Sequence, residues 1–130
     1  LIIFMTDKKF IVKTFNTHLS EFIDDVVSVF PREVDLLTSR TFINGVMKVK
    51  PRIIIEYWYK HIYLLYKDQI DKGDFEFFLK KDYNGDVESN DVLNGIEKMR
   101  VKIAGLSDTS REMAVKYAKN LSKLAVMYFE

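Results

Sequence analysis

The chain has 130 residues, no cysteine, and 20 Lys plus Arg against 19 Asp plus Glu, for a net charge of +1. That balance gives no global case for a nucleic-acid or anionic-membrane partner, and the missing cysteines exclude disulfides, thiolate chemistry and zinc-finger sites. An apolar fraction of 48% with 30% charged residues excludes a disordered chain, so residues 1–130 read as one domain able to bury its own core.

Residues 1–5 read as a disordered or non-native leader, with Met5 as a natural start. The apolar run Leu1–Phe4 is too short for a signal-peptide core, and no basic region precedes it. The first periodic run is Phe10 to Phe30. Phe15, Leu19, Phe22, Val26 and Val29 recur at spacings of four, three, four and three, the mark of an amphipathic helix. It is expected to stop before Pro31, which drives its predecessor out of the α region. Asp35 reads as the N-cap of a second helix, Leu36 to Val49, with Leu36, Leu37, Phe42, Ile43, Val46 and Met47 as its apolar side.

Pro51 to Asp71 is the stretch the fold is expected to organise around. Pro51 suits the first helical position. Ile54, Trp58, Ile62 and Leu65 make one apolar face, and Tyr59, Tyr63, Tyr66 and Ile70 make a second. Such a helix is buried on several sides. Arg52, Glu56, Lys60, His61, Lys67 and Asp68 make it unsuited to lipid. Gly73 is expected to end it and Asp74 to cap a short helix, Phe75 to Lys81. A fifth helix, capped by Ser89 or Asn90, runs to about Ala104. The last starts at Ser107 and carries Met113, Tyr117, Leu121, Leu124 and Tyr128. The expected fold is all-α: a compact bundle of five main helices and one short one around residues 51–71.

Chemistry-bearing patterns are sparse. Asp82, Asn84, Asp86 and Glu88 alternate like the start of a calcium loop, but Val87 and Leu93 stand where that loop needs Gly and Glu. His18, with Glu21 and Asp25 on its helical face, and His61 are the only histidines. They lack a second His at metal spacing, and no nucleophile or phosphate-loop motif accompanies them. No enzyme activity, cofactor or metal is expected. Basic residues gather at Lys48, Lys50 and Arg52 and along Lys116, Lys119 and Lys123, with Lys98, Arg100 and Lys102 nearby. With Tyr59 and Tyr63, which should face outward from a small bundle, Lys48, Lys50 and Arg52 are the candidate partner contacts.

Four blocks together resemble a known family. They are Phe15-Asn16, Leu19, Glu21-Phe22, Asp25-Val26, Val29-Phe30-Pro31 and Asp35-Leu36; Pro51 with the Trp58 helix; Tyr66-Lys67, Gln69-Ile70, Gly73-Asp74, Phe77-Phe78 and Lys81-Asp82-Tyr83; and Tyr117, Leu121, Leu124 and Tyr128. The chain resembles the short all-helical proteins of nucleocytoplasmic large DNA viruses, the giant viruses of algae and protists. The resemblance implies a viral protein present in the virion, and in the host cytoplasm during assembly. Its partners would be capsid or other virion proteins, or copies of itself, with no membrane insertion. The expected function is that of a minor capsid or virion component acting through helix contacts. The alternative is an intracellular adaptor or nucleic-acid-associated factor in viral replication or transcription, for which the basic clusters must converge.

Overall fold

Helix α1, Lys8–Val29, starts where Asp7 accepts a hydrogen bond from the Phe10 amide at 3.1 Å. The core face of α1 is Ile11, Val12, Phe15, Leu19 and Val27, all buried. The computed structural model describes residues 7–82, 85 and 90–130. The leader 1–5 and most of the calcium-like loop therefore lie outside the described residues.

Helix α2 spans Val34–Val49 and begins earlier than the Asp35 cap implied. Glu33 holds the cap position without a side-chain bond to the helix amides, and its own amide donates to the Phe30 carbonyl at 3.2 Å. Asp35 falls instead in the first turn, where its charge favours the positive end of the helix dipole. Phe42, expected on the inner side, is 70% exposed.

The stretch from Pro51 is not one helix. Pro51 and Arg52 form a turn, and the Pro51 carbonyl accepts from Asn16 Nδ2 on α1 at 2.9 Å. Helix α3 then covers Ile53–Trp58, a π-helical turn covers Tyr59–Tyr63, and α4 covers Leu64–Lys72. The Leu64 amide reaches back to the Tyr59 carbonyl, the i→i−5 bond of a π turn. Tyr66 breaks the regular backbone at φ −126° and ψ 20°. These two irregularities re-aim the chain. Ile54, Ile55 and Trp58 pack into the core before them, and Ile70 is buried after them, while Leu65, expected inward, is 57% exposed. The sequence showed two apolar faces; the chain uses the first and then switches to the second.

Gly73 closes α4 in the left-handed conformation, φ 67°. Its amide bonds the Ile70 carbonyl at 3.0 Å and the Asp74 amide bonds that of Gln69 at 2.9 Å, the paired bonds of a Schellman motif. Asp74 then caps α5, Phe75–Lys80, by accepting from the Phe77 amide at 3.0 Å. Helix α6 is Asn90–Ala104. Ser107 caps α7, Asp108–Phe129, by accepting from the Ser110 amide at 3.2 Å.

The long helices α1 and α7 run antiparallel. The Lys8 ammonium lies over the Tyr128 ring at 5.2 Å at one end, and Tyr117 reaches Asp25 towards the other. Between them sit Phe15, Leu121 and Ala125, each without exposed surface, and Ile55 of α3 completes the cluster. The Trp58 ring meets Phe15 edge-on at 6.1 Å, and its Nε1–H donates to the buried Ser122 hydroxyl at 3.0 Å. The fold is all-α and compact, and its deepest packing joins α1, α3 and α7. Among the described residues no helix is long and apolar enough to cross a membrane.

Two substitutions check this account by urea unfolding. Ser122→Ala leaves the half-buried indole N–H unpaired and is expected to cost about 1–3 kcal/mol, with a smaller cost in a Trp58→Phe background. Gly73→Ala places a Cβ 3.0 Å from Val115 Cγ1 at a positive φ, and is expected to cost about 1–2 kcal/mol.

Candidate functional site

The five residues singled out as partner contacts form two groups. Lys48, Lys50 and Arg52 are all exposed at the α2–α3 junction. The junction is held in place by the Lys50 amide on the Val46 carbonyl at 2.8 Å and by the Asn16–Pro51 bond. The three charges therefore stand on a fixed turn.

Tyr59 and Tyr63 are half-buried and form the second group. Tyr59 stacks on Tyr63 at 5.8 Å and on Phe129 at 4.4 Å, and its hydroxyl donates to Glu130 at 2.8 Å. That hydrogen bond, first, and then desolvation raise the Tyr59 pKa above its ordinary value. Lys60 lies over the Phe129 ring at 5.9 Å. The ring face of Tyr59 is thus spent on the end of α7. Among the described residues the exposed tyrosine is Tyr57, 55% exposed beside His61, with ring centres 4.6 Å apart. Among the described residues no hydrogen bond, ion pair or ring contact joins the two groups.

The other basic residues are divided. Lys102 pairs with Glu33, and Arg100 lies 3.4 Å from Glu97. Lys123 lines an open groove between α1 and α7, of about 530 Å³, with Lys13, His18, Glu21 and Asn120. His18 Nδ1 is 3.6 Å from a Glu21 carboxylate that is 59% exposed, too long for a hydrogen bond that would fix the tautomer of a general base. The His18 ring packs on Tyr117 at 4.7 Å. Among the described residues no group of three or more His, Asp or Glu side chains is placed to hold a metal ion. A second cleft, of about 230 Å³, is apolar and lies between the π turn, α4, α5 and α7, with Trp58, Ile62, Ile70, Phe75 and Phe78 in its wall.

The feature that sequence reasoning missed is the outward side of α2. Val34, Phe42 and Val49 are 70%, 70% and 77% exposed. Leu36, Leu37, Ile43, Val46 and Met47 face the body of the protein and are half-buried. The signal was present, because Val34, Thr38, Phe42, Gly45 and Val49 recur at helical spacing on a separate stripe. Placing Phe42 on the inner side with Leu36, Leu37, Ile43, Val46 and Met47 hides it.

Compared with protein-family models, curated proteins and solved structures, the chain has no match.

Tyr117 ties α7 to α1: its hydroxyl donates to Asp25 at 2.6 Å and its ring stacks on Phe22 at 4.8 Å. The Asp25 hydrogen bond, followed by desolvation, raises the Tyr117 pKa from 10.0 to about 12. A raised pKa favours the protonated phenol in the folded state, so this contribution is complete below the unfolded value and is lost as pH rises through the folded one. Urea midpoints are therefore expected to fall between pH 10 and about 12, with a step that Tyr117→Phe removes. At neutral pH Tyr117→Phe is expected to cost about 1 kcal/mol.

Proposed function

We propose that the protein is a non-enzymatic interaction module, a minor capsid or other virion component of a large DNA virus, acting through helix-mediated protein contacts. The observation that carries the interaction reading is the row of apolar side chains on the outward side of α2, where Val34, Phe42 and Val49 are each at least 70% exposed among polar neighbours. Apolar side chains in a row along one helix gain stability when a partner covers them, at about 25 cal/mol per Å², and none while they face water. The exposed charges of Lys48, Lys50 and Arg52 adjoin the end of that face, as the polar rim of an interface adjoins its apolar centre.

The viral setting rests on the resemblance of the four sequence blocks to the helical proteins of giant viruses. A cysteine-free domain with an aromatic fraction of 14% suits assembly in a reducing cytoplasm and packing into a particle. On this reading the chain is made in the host cytoplasm and retained in the virion. It works without a cofactor, against capsid proteins or its own copies.

Quantitative mass spectrometry of purified particles from the virus that encodes the chain tests the proposal. The expected result is a fixed copy number per major capsid protein across independent preparations, surviving a high-salt wash. A protein abundant in infected cells but absent from washed particles would overturn the virion assignment.

A further inference from the structure

The outward side of α2 carries a valine at each end and charges of opposite sign just inside them. The midpoint of the helix falls between Thr41 and Phe42. Val34 and Val49 stand equally far from it, as do Asp35 and Lys48, and as do Thr38 and Gly45. All of these residues are exposed. A Cβ added at Gly45 meets nothing within 4 Å, so open space lies beside the Phe42 ring. The charged residues of the helix are Asp35 in its first turn, Lys48 in its last, and Arg40 between them. Arg40 is turned towards Asp24 Oδ1 at 3.4 Å, which leaves one exposed charge of each sign at opposite ends.

A two-fold interface uses one patch on both sides, so the patch must complement itself after a half-turn. We infer that α2 pairs antiparallel with α2 of a second copy of this chain, an inference that rests on the interaction reading above and names the partner. In that pairing Val34 of each copy meets Val49 of the other. Phe42 enters the hole left by Thr38, Thr41 and Gly45 of the other copy, as a knob enters a hole between helices. The acidic end of each helix lies at the basic end of its mate, and the two helix dipoles oppose. Parallel pairing would set Asp35 against Asp35 and Lys48 against Lys48. A helix of 16 residues is about 24 Å long, and one such contact covers less than the ~800 Å² per partner of a standard interface. The dimer is therefore weak and concentration-dependent in solution, and is strengthened where copies are concentrated.

Sedimentation equilibrium of the full chain, from roughly 10 μM to 1 mM, tests this. The expected result is a monomer–dimer equilibrium whose Kd rises at least tenfold for Phe42→Glu. Gly45→Gln is expected to weaken the dimer several-fold while raising the melting temperature, because glycine is the poorer helix former and its site is open. Asp35→Lys and Lys48→Glu are each expected to weaken self-association, and an equimolar mixture of the two to restore it. A wild-type chain monomeric at the highest concentration, a dimer indifferent to Phe42→Glu, or a charge-swapped pair that fails to recover would overturn the inference. The two proposals fail separately: a monomer found in particles sinks the dimer alone, and a dimer absent from particles sinks the virion assignment alone.

Discussion

The structure depends on the contact between α1 and α7. Phe15, Leu121 and Ala125 have no exposed surface, and truncating a buried Phe of this kind costs about 3–5 kcal/mol in general. The two helices come from opposite ends of the chain, so their pairing encloses everything between. The small residues Ser122 and Ala125 set how closely a neighbour can approach α7. Into that space comes α3, with Ile55 fully buried and the Trp58 indole aimed at the Ser122 hydroxyl. A polar atom at this depth is tolerated because it has a partner. The bond gives the α3–α7 contact one register where apolar packing alone would allow several.

That register has a consequence for the segment that follows. A regular helix continued from Trp58 would carry Leu65 towards the body and leave Ile70 turned away. The π turn at Tyr59–Tyr63 and the break at Tyr66 rotate the chain so that Ile70 is buried and Leu65 exposed. The Schellman turn at Gly73 then sends α5 back against α7, where Arg111 lies over the Phe75 ring at 5.2 Å and reaches Glu76 at 3.1 Å. The apolar cleft beside the π turn is the space left by this re-aiming. Its walls are side chains from both sides of the irregularity.

Local chemistry was the legible part of the sequence. Asp74, Gly73 and Ser107 each do at their helix end what their residue type implies, and the apolar period of residues 10–30 marks α1. What the sequence could not show was which of several equivalent options a three-dimensional neighbour would choose. Asp35 is as good a cap as Asp74, yet the Phe30 carbonyl binds the Glu33 amide and starts α2 before Asp35 is reached. Pro51 suits the first residue of a helix, but the Asn16 amide holds its carbonyl in a turn. The sequence points Tyr59 and Tyr63 outward because a small bundle cannot cover every ring. The end of α7 packs on Tyr59, and among the described residues the exposed tyrosine is Tyr57. The last two differences turn on contacts distant in sequence, which periodicity cannot encode.

The same reasoning bears on the outward side of α2. That helix has no fully buried residue, and it is held by half-buried side chains and by end contacts such as Lys102 with Glu33. A helix needed only to cover one side of a core would be polar on its other side. Here the other side carries Val34, Phe42 and Val49 in a row, broken by a glycine that lowers helix propensity and supports nothing inside the protein. Neither the exposed apolar row nor the glycine stabilises the isolated chain, and both become favourable once a second helix lies along them. Part of the apolar surface that the α1–α3–α7 core leaves unused is therefore placed on α2, a helix with no fully buried residue, where another surface can cover it.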